Sequence, residues 1–208
     1  AVAHRTPLAR RVVGIDDDRG FPVRCVPARA YCAGPMGGPR CPAPCSTRCV
    51  AAGDTNGQPD VFLHRFDTGT TELVSRSSTG GVGTRGINGV GAQGWVSSDG
   101  RYVAFSSSSS DLVPGDTNGF SDVFLRDRVA GTTTRVSIGS DGRQLTTSSR
   151  LVSISADGRW IAMQTGFDAH YLGTIYVTDR TTGRRVAASV LPDGTVSHLA
   201  TGAFLTAG

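Results

Sequence analysis

Oxygen-bearing side chains recur at one fixed spacing in this sequence. GDTNGQPDVFL runs from Gly53 to Leu63, and GDTNGFSDVFL runs from Gly115 to Leu125, 62 residues further on. In each copy Asp, Asn and Asp stand at positions 1, 3 and 7, which gives Asp54, Asn56 and Asp60, then Asp116, Asn118 and Asp122. Calcium takes roughly six to eight oxygen ligands, and loops built for it place Asp or Asn at alternate positions with Gly at the sharp bend. Here Gly119 follows Asn118 at once and the third acid of a D-x-N-x-D-G run is missing, so backbone carbonyls would have to complete a shell. The same residues also describe an Asx-turn followed by an Asn-Gly hairpin turn, in which short polar side chains bond their own backbone. Both chemistries are open at this level: a calcium loop used twice, or a tight turn used twice.

Catalysis has less to offer. No G-x-S-x-G elbow exposes a nucleophilic serine. The run Ser106 to Ser110 lies at a strand end with no histidine to activate it. His4, His64, His170 and His198 lack ligand spacing. His170 has Asp168 two residues away, but one such pair in a polar loop does not make a site. Asp99, Asp141, Asp157 and Asp193 each sit at turn positions, where Asp bonds backbone amides, so no pair of acids is set across a cleft for acid–base work. Arg101 and Arg159 follow the Asp-Gly turns directly and are placed to pair with nearby carboxylates.

The elements that would position these residues are strands. The chain of 208 residues has one Glu (Glu72), no Lys, 28 Gly and a 38% hydrophobic fraction. Strong helix formers are scarce on that composition, while Val, Thr, Ser and Gly in short runs favour strands and turns. Self-similarity then organises the chain from residue 50 onward. VSSDGRYVAFSSS (Val96 to Ser108) returns as ISADGRWIAMQT (Ile154 to Thr165). DVFLHRFDTGTTELVS (Asp60 to Ser75) returns as DVFLRDRVAGTTTRVS (Asp122 to Ser137) and, more loosely, as TIYVTDRTTGRRVAAS (Thr174 to Ser189). Asp99-Gly100 and Asp157-Gly158 read as two-residue hairpin turns, and Ala130-Gly131 as the turn of the second hairpin. The runs YVAF and WIAM are apolar on both faces, so those strands should be covered from both sides.

Two hairpins in succession make a four-stranded unit. Strands are expected near 93–98, 101–107, 121–127 and 133–138, then near 151–155, 159–165, 174–179 and 184–190. Half a unit, with strands near 59–65 and 71–76, precedes them. Four-stranded antiparallel sheets at this period read as the blades of a partial β-propeller. The domain plan is an irregular segment 1–49, a half blade 53–92, blades 93–150 and 151–200, and the start of a next blade at 201–208, where Ala203 to Ala207 reads AFLTA. That is about two and a half blades, and the expected class is all-β.

S-x-DGR-[YW]-[VI]-A-[FM] followed by [VI]-[FY]-[LV]-x-[DR]-x-x-x-G resembles the bacterial TolB-type, WD-repeat-like propeller repeat, over about residues 50–200. The resemblance implies a bacterial protein outside the cytoplasm, periplasmic, secreted or on the cell surface. It implies a ring of six to eight blades, so further blades would come in cis or from an oligomer. Loops that vary from blade to blade on a rigid core read as a non-catalytic scaffold for a protein partner or an extracellular ligand. The alternative that the resemblance implies is the propeller part of a peptidase or hydrolase whose catalytic domain is absent from this chain.

Residues 1–49 stand apart. They hold Cys25, Cys32, Cys41, Cys45 and Cys49, seven of the ten prolines, and eight of the 21 arginines against only Asp16, Asp17 and Asp18. The C-x3-C-x3-C spacing lacks the second pair of a structural zinc site, and the odd count fits a disulfide framework poorly. Arg, Pro, Ala and Gly together read as a disordered leader or linker. The net charge of +4 comes from this segment; the repeat region is nearly neutral and offers nucleic acid no basic face. The opening AVAHRTP lacks an apolar signal region, and nothing in the chain is long and apolar enough to span a membrane. The long connection Ser106 to Ser121, against the shorter Thr165 to Gly173, is the expected seat of recognition.

Overall fold

The computed structural model describes residues 11–15, 56, 58, 60–65, 70–85, 95–166 and 173–197. They are strands and turns, with no helix among the described residues. The first sheet holds β1 (Arg11–Ile15), β2 (Val61–Arg65) and β3 (Thr70–Leu73) in that order. The second holds β4 (Trp95–Val96), β5 (Tyr102–Ser107), β6 (Asp122–Asp127) and β7 (Thr132–Arg135). The third holds β8 (Ser149–Ile154), β9 (Trp160–Thr165), β10 (Thr174–Asp179) and β11 (Arg185–Ala187). Every pairing is antiparallel, and the sheets fit a partial β-propeller with no closed barrel.

In one respect the expectation for residues 1–49 is corrected. Arg11–Ile15 pairs with β2 from Arg11 opposite Arg65 to Ile15 opposite Val61, so the first unit has three strands rather than two. RVVGI is β-branched enough to form a strand, but only a partner beyond the Pro- and Cys-rich stretch supplies its ladder. The five cysteines, Asp54, Asp168, His4, His170, His198 and the expected strand at 203–207 lie outside the described residues.

The two cores lie between successive sheets. Val61, Leu63 and Val74 meet Val103, Phe105, Leu112 and Phe124 in one, with the Phe105 and Phe124 rings stacked 5.8 Å apart. Tyr102, Ala104, Val123, Leu125 and Val136 meet Ile154, Ile161 and Met163 in the other. Alternate residues of β5 therefore face opposite cores, which is why YVAF is apolar throughout and buried along its length. Each fully buried Val, Leu, Ile, Phe or Met side chain of these cores stabilises the packing by about 1.5–3 kcal/mol. Polar joints tie the second sheet to the third: Ser98 N donates to Ala156 O (2.7 Å), Ser149 N to Ser121 O (2.7 Å) and Leu151 N to Ser106 Oγ (2.7 Å).

The Asp-Gly turns are also longer than expected. Ser97 N donates to Tyr102 O (2.9 Å), leaving the four residues 98–101 in the loop, and Gly100 N donates to Ser97 O (2.8 Å). Gly100 takes the left-handed position at φ 70° while Asp99 accepts from Arg101 N through Oδ1. Ser155 to Trp160 repeats the pattern, with Gly158 at φ 72°. The serine at each hairpin start bonds both the Asp carboxylate and the returning strand's amide, which closes the wider loop.

Candidate functional site

In the second sheet the GDTNG segment leads into β6, with Asp116 buried and Asn118 half-buried. Asn118 Oδ1 accepts from Phe120 N (3.0 Å), which makes the Asx-turn. Asn118 Nδ2 donates to Asp122 Oδ2 (2.9 Å) and to Leu145 O (3.2 Å). Asp122 is fully buried, and its Oδ1 accepts from the Ser137 hydroxyl, which itself accepts from Val123 N (3.0 Å). Gln144 closes the other side: its Oε1 accepts from Thr117 N (3.1 Å) and Asn118 N (3.0 Å), and its Nε2 donates to Gly115 O (2.6 Å) and Thr117 Oγ1 (3.0 Å).

The charge of the two carboxylates is answered by an arginine. Arg135 Nη1 lies 3.1 Å from Asp116 Oδ1 and 3.8 Å from Asp122 Oδ2. Burial, reinforced by the Asp122 charge, still raises the Asp116 pKa above its ordinary value, with Arg135 acting against the rise. The guanidinium thus stands beside both carboxylates. Among the described residues no group of three or more His, Cys, Asp or Glu is arranged to hold a metal ion.

The first sheet uses the same staple. Asn56 Nδ2 donates to Asp60 Oδ2 (2.8 Å) and to Gly83 O (2.8 Å), and Asn56 Oδ1 accepts from Gln58 N (2.8 Å). Ser75 donates to Asp60 Oδ1 and accepts from Val61 N (3.0 Å). Leu73 stands opposite Phe62 where Arg135 stands opposite Phe124, so this copy has no arginine at that position. The third sheet has neither member of the pair: Thr174 replaces the aspartate and Ala187 the arginine. There Ser189 Oγ still accepts from its strand amide, Ile175 N (3.1 Å), but donates to Ser197 O (2.7 Å). Gly83, Leu145 and Ser197 are equivalent in the repeat, and each carbonyl is satisfied, by Asn56, by Asn118 or by Ser189. A buried carbonyl left without a donor is costly, so each unit finds its own solution.

The structure brings together five of the six residues marked by the sequence, in two separate clusters: Asn56 with Asp60, and Asn118 with Asp116 and Asp122. Gln144, Leu145, Arg135 and the serines at 75 and 137 complete those clusters and were missed. The serines carried a signal, because a serine stands two residues after each outer strand; the others are reached only through tertiary contacts. The serines of the 106–110 run hold backbone: Ser106 Oγ accepts from Leu151 N, and Ser109 Oγ accepts from Arg85 N (2.8 Å). Asp141 and Asp193 bond amides two residues on, as turn residues. Arg101 and Arg159 pair with Asp127 and Asp179 at 2.7 Å, so each hairpin turn is clipped to the end of the neighbouring strand.

The chain matches no protein-family model and none of the curated proteins. Among solved structures it is similar to TolB from Acinetobacter baumannii, with 22% identity over 64% of this chain and 27% of that chain at a TM-score of 0.38. A prolyl endopeptidase structure is similar at 12% identity over 62% of this chain and 18% of that chain, with a TM-score of 0.39. The chain therefore spans a minor part of the length of either protein.

Proposed function

We propose that this protein is a non-catalytic scaffold of the β-propeller type, presenting loops for a protein or ligand partner outside the cytoplasm. On this reading the GDTNG segments are hydrogen-bonded staples rather than calcium loops. The observation that carries the proposal is the loop between β5 and β6. Leu112 is anchored in the first core at 1% exposure, Thr84 N bonds Asp111, and Asn118 and Gln144 fix the far end. From that frame Phe120 stands 40% exposed among exposed Pro114, Gly115, Thr117 and Gly119. A loop ordered before contact loses little entropy on binding, and an aromatic held in solvent is the kind of anchor that interfaces use.

The test is site-specific photo-crosslinking in the extracytoplasmic material of the source cell. A cross-linker at position 120 should capture a discrete partner, saturably, and the capture should be competed by the unmodified protein but not by Phe120→Ser. A cross-linker at Val129, on the exposed turn between β6 and β7, should not capture it. Equal yields from both positions, or no saturable product, would refute the assignment of recognition to this loop.

A further inference from the structure

The chain holds three asparagines, Asn56, Asn88 and Asn118, and a glycine follows each one. An Asn-Gly pair is open to attack on the side-chain amide by the next main-chain nitrogen, because glycine has no Cβ to hinder the approach. Asn88 lies outside the described residues. Asn56 and Asn118 both stand in staples, where the amide group is engaged at each end. Asn118 Oδ1 accepts from Phe120 N (3.0 Å), while Nδ2 donates to Asp122 Oδ2 (2.9 Å) and Leu145 O (3.2 Å). Asn56 repeats the set with Gln58 N, Asp60 Oδ2 and Gly83 O, each at 2.8 Å. Gln144 steadies the main chain beside Asn118, its Oε1 accepting from Thr117 N (3.1 Å) and Asn118 N (3.0 Å). Gly119 itself is exposed, at φ 74°, with open space around it.

We propose that Asn118 is a deamidation site gated by its own staple, and that the modification, once made, keeps the staple from closing. While the staple is closed, both N–H groups of the leaving amide are committed to acceptors, and the amide is held away from reaction. In the opened loop the Gly119 nitrogen bonds to Asn118 Cγ and the Cγ–Nδ2 bond breaks. Nδ2 leaves as ammonia, carrying the proton that Gly119 gave up. Water then opens the five-membered imide. Cleavage at Cγ leaves an ordinary aspartate at 118, and cleavage at the main-chain carbonyl leaves an isoaspartate, with the chain running through Cγ. Either product puts a carboxylate where a double donor stood, between the Asp122 carboxylate and the Leu145 carbonyl. Asp122 has no solvent exposure, so water does little to screen the repulsion, and the Leu145 carbonyl loses its donor. Closing is disfavoured, and nothing in the chemistry restores the amide. Asn56 is the corresponding site in the first sheet. The inference rests on the hydrogen bonds of the staple and is independent of what the loop recognises.

The experiment ages the native chain and the urea-unfolded chain side by side at neutral pH and physiological temperature. Trypsin, cutting after arginine, places the three asparagines in separate peptides, 49–65, 86–101 and 102–126, in which aspartate and isoaspartate are resolved by chromatography and mass. Asn118 should deamidate about a hundredfold more slowly in the native chain than in urea, as an opening that gives up three hydrogen bonds implies. Gln144→Ala removes the bonds that frame the loop and leaves the Asn118 side chain and the cores untouched. It should speed native deamidation of Asn118 about tenfold while the rate at Asn56, in the other sheet, stays as it was. The native chain carrying the product at 118, separated by anion exchange, should unfold at a lower urea midpoint than the unmodified chain. Protection of less than about tenfold would overturn the gate, and so would a native rate above the unfolded one, which would make Asp122 a promoter of the reaction. An Asn118 rate unmoved by Gln144→Ala would overturn it as well. A modified chain that unfolds with the parent would overturn the claim that the product keeps the staple open.

Discussion

Asn118→Ala removes three hydrogen bonds at one stroke, and the structure says what each was holding. The bond to Asp122 Oδ2 serves a carboxylate with no solvent exposure, and bonds to charged groups stabilise by about 1.5–3 kcal/mol. The bonds to Leu145 O and from Phe120 N are neutral, at about 0.5–1.5 kcal/mol each. They do not add in full, because Asp122 keeps the Ser137 hydroxyl and the neighbouring Arg135. A loss of about 3 kcal/mol is therefore expected, a large part of the stability of an ordinary domain. Urea unfolding followed by tryptophan fluorescence should show the midpoint falling by about 1–3 M with little change in slope, given slopes of about 1–3 kcal/mol per molar urea. Asn118→Asp should be worse than Ala at neutral pH, since it turns a donor into a second anion facing Asp122, and it should recover as the pH is lowered. A midpoint for Asn118→Ala within the about 0.5 kcal/mol typical of surface substitutions would refute the staple. So would a variant that unfolds like the parent yet loses only its response to calcium.

Calcium gives a second check: with Arg135 beside Asp116 and Asp122, addition of EDTA should leave the thermal midpoint unchanged, whereas a drop that Asp116→Ala abolishes would establish the calcium loop instead. Gly158→Ala should destabilise by about 2–4 kcal/mol, from a left-handed φ of 72° and overpacking against Tyr102, whereas Gly183→Ala, at φ 71° with open space around it, should cost only about 1 kcal/mol; matched thermal midpoints would sink the close approach of Tyr102 to Gly158. Hydrogen bonding to Arg101 lowers the Asp127 pKa from 3.8 to about 2. A carboxyl whose folded value lies below its unfolded value stabilises fully above the unfolded value and loses that contribution as pH falls toward 2. Asp127→Asn should lower stability at pH 7 and flatten its decline between about pH 4 and pH 2, read as the urea midpoint against pH; Asp179, lowered likewise through Arg159, keeps part of the slope.

Much of the architecture is legible without coordinates because it is written in local physics. Alternation, Asp-Gly turns and a recurring DVFL place the strands from Val61 onward, and apolar runs on both faces of β5 and β9 require sheets on either side. The turn length was misread because an Asp-Gly pair fits both a two-residue and a four-residue loop. Only the Ser97 and Ser155 hydroxyls, bonding across the hairpin, favour the wider one. β1 was missed for a different reason: its five residues make sense as a strand only beside β2, and nothing adjacent in sequence announces that pairing.

The GDTNG segment divides along the same line. Its Asx-turn and its place before β6 follow from residue type and spacing, since an Asn side chain reaches an amide two residues away whatever the fold. Where its amide group points does not. Leu145 and Gln144 lie 27 and 26 residues from Asn118, and Arg135 belongs to another strand, so packing alone delivers them to the loop. Residue type and spacing alone specify a repeated all-β frame and the side chains able to bind either an ion or a backbone. The tertiary structure set an arginine and an amide against the buried carboxylates, because groups removed from water must find their partners inside the protein.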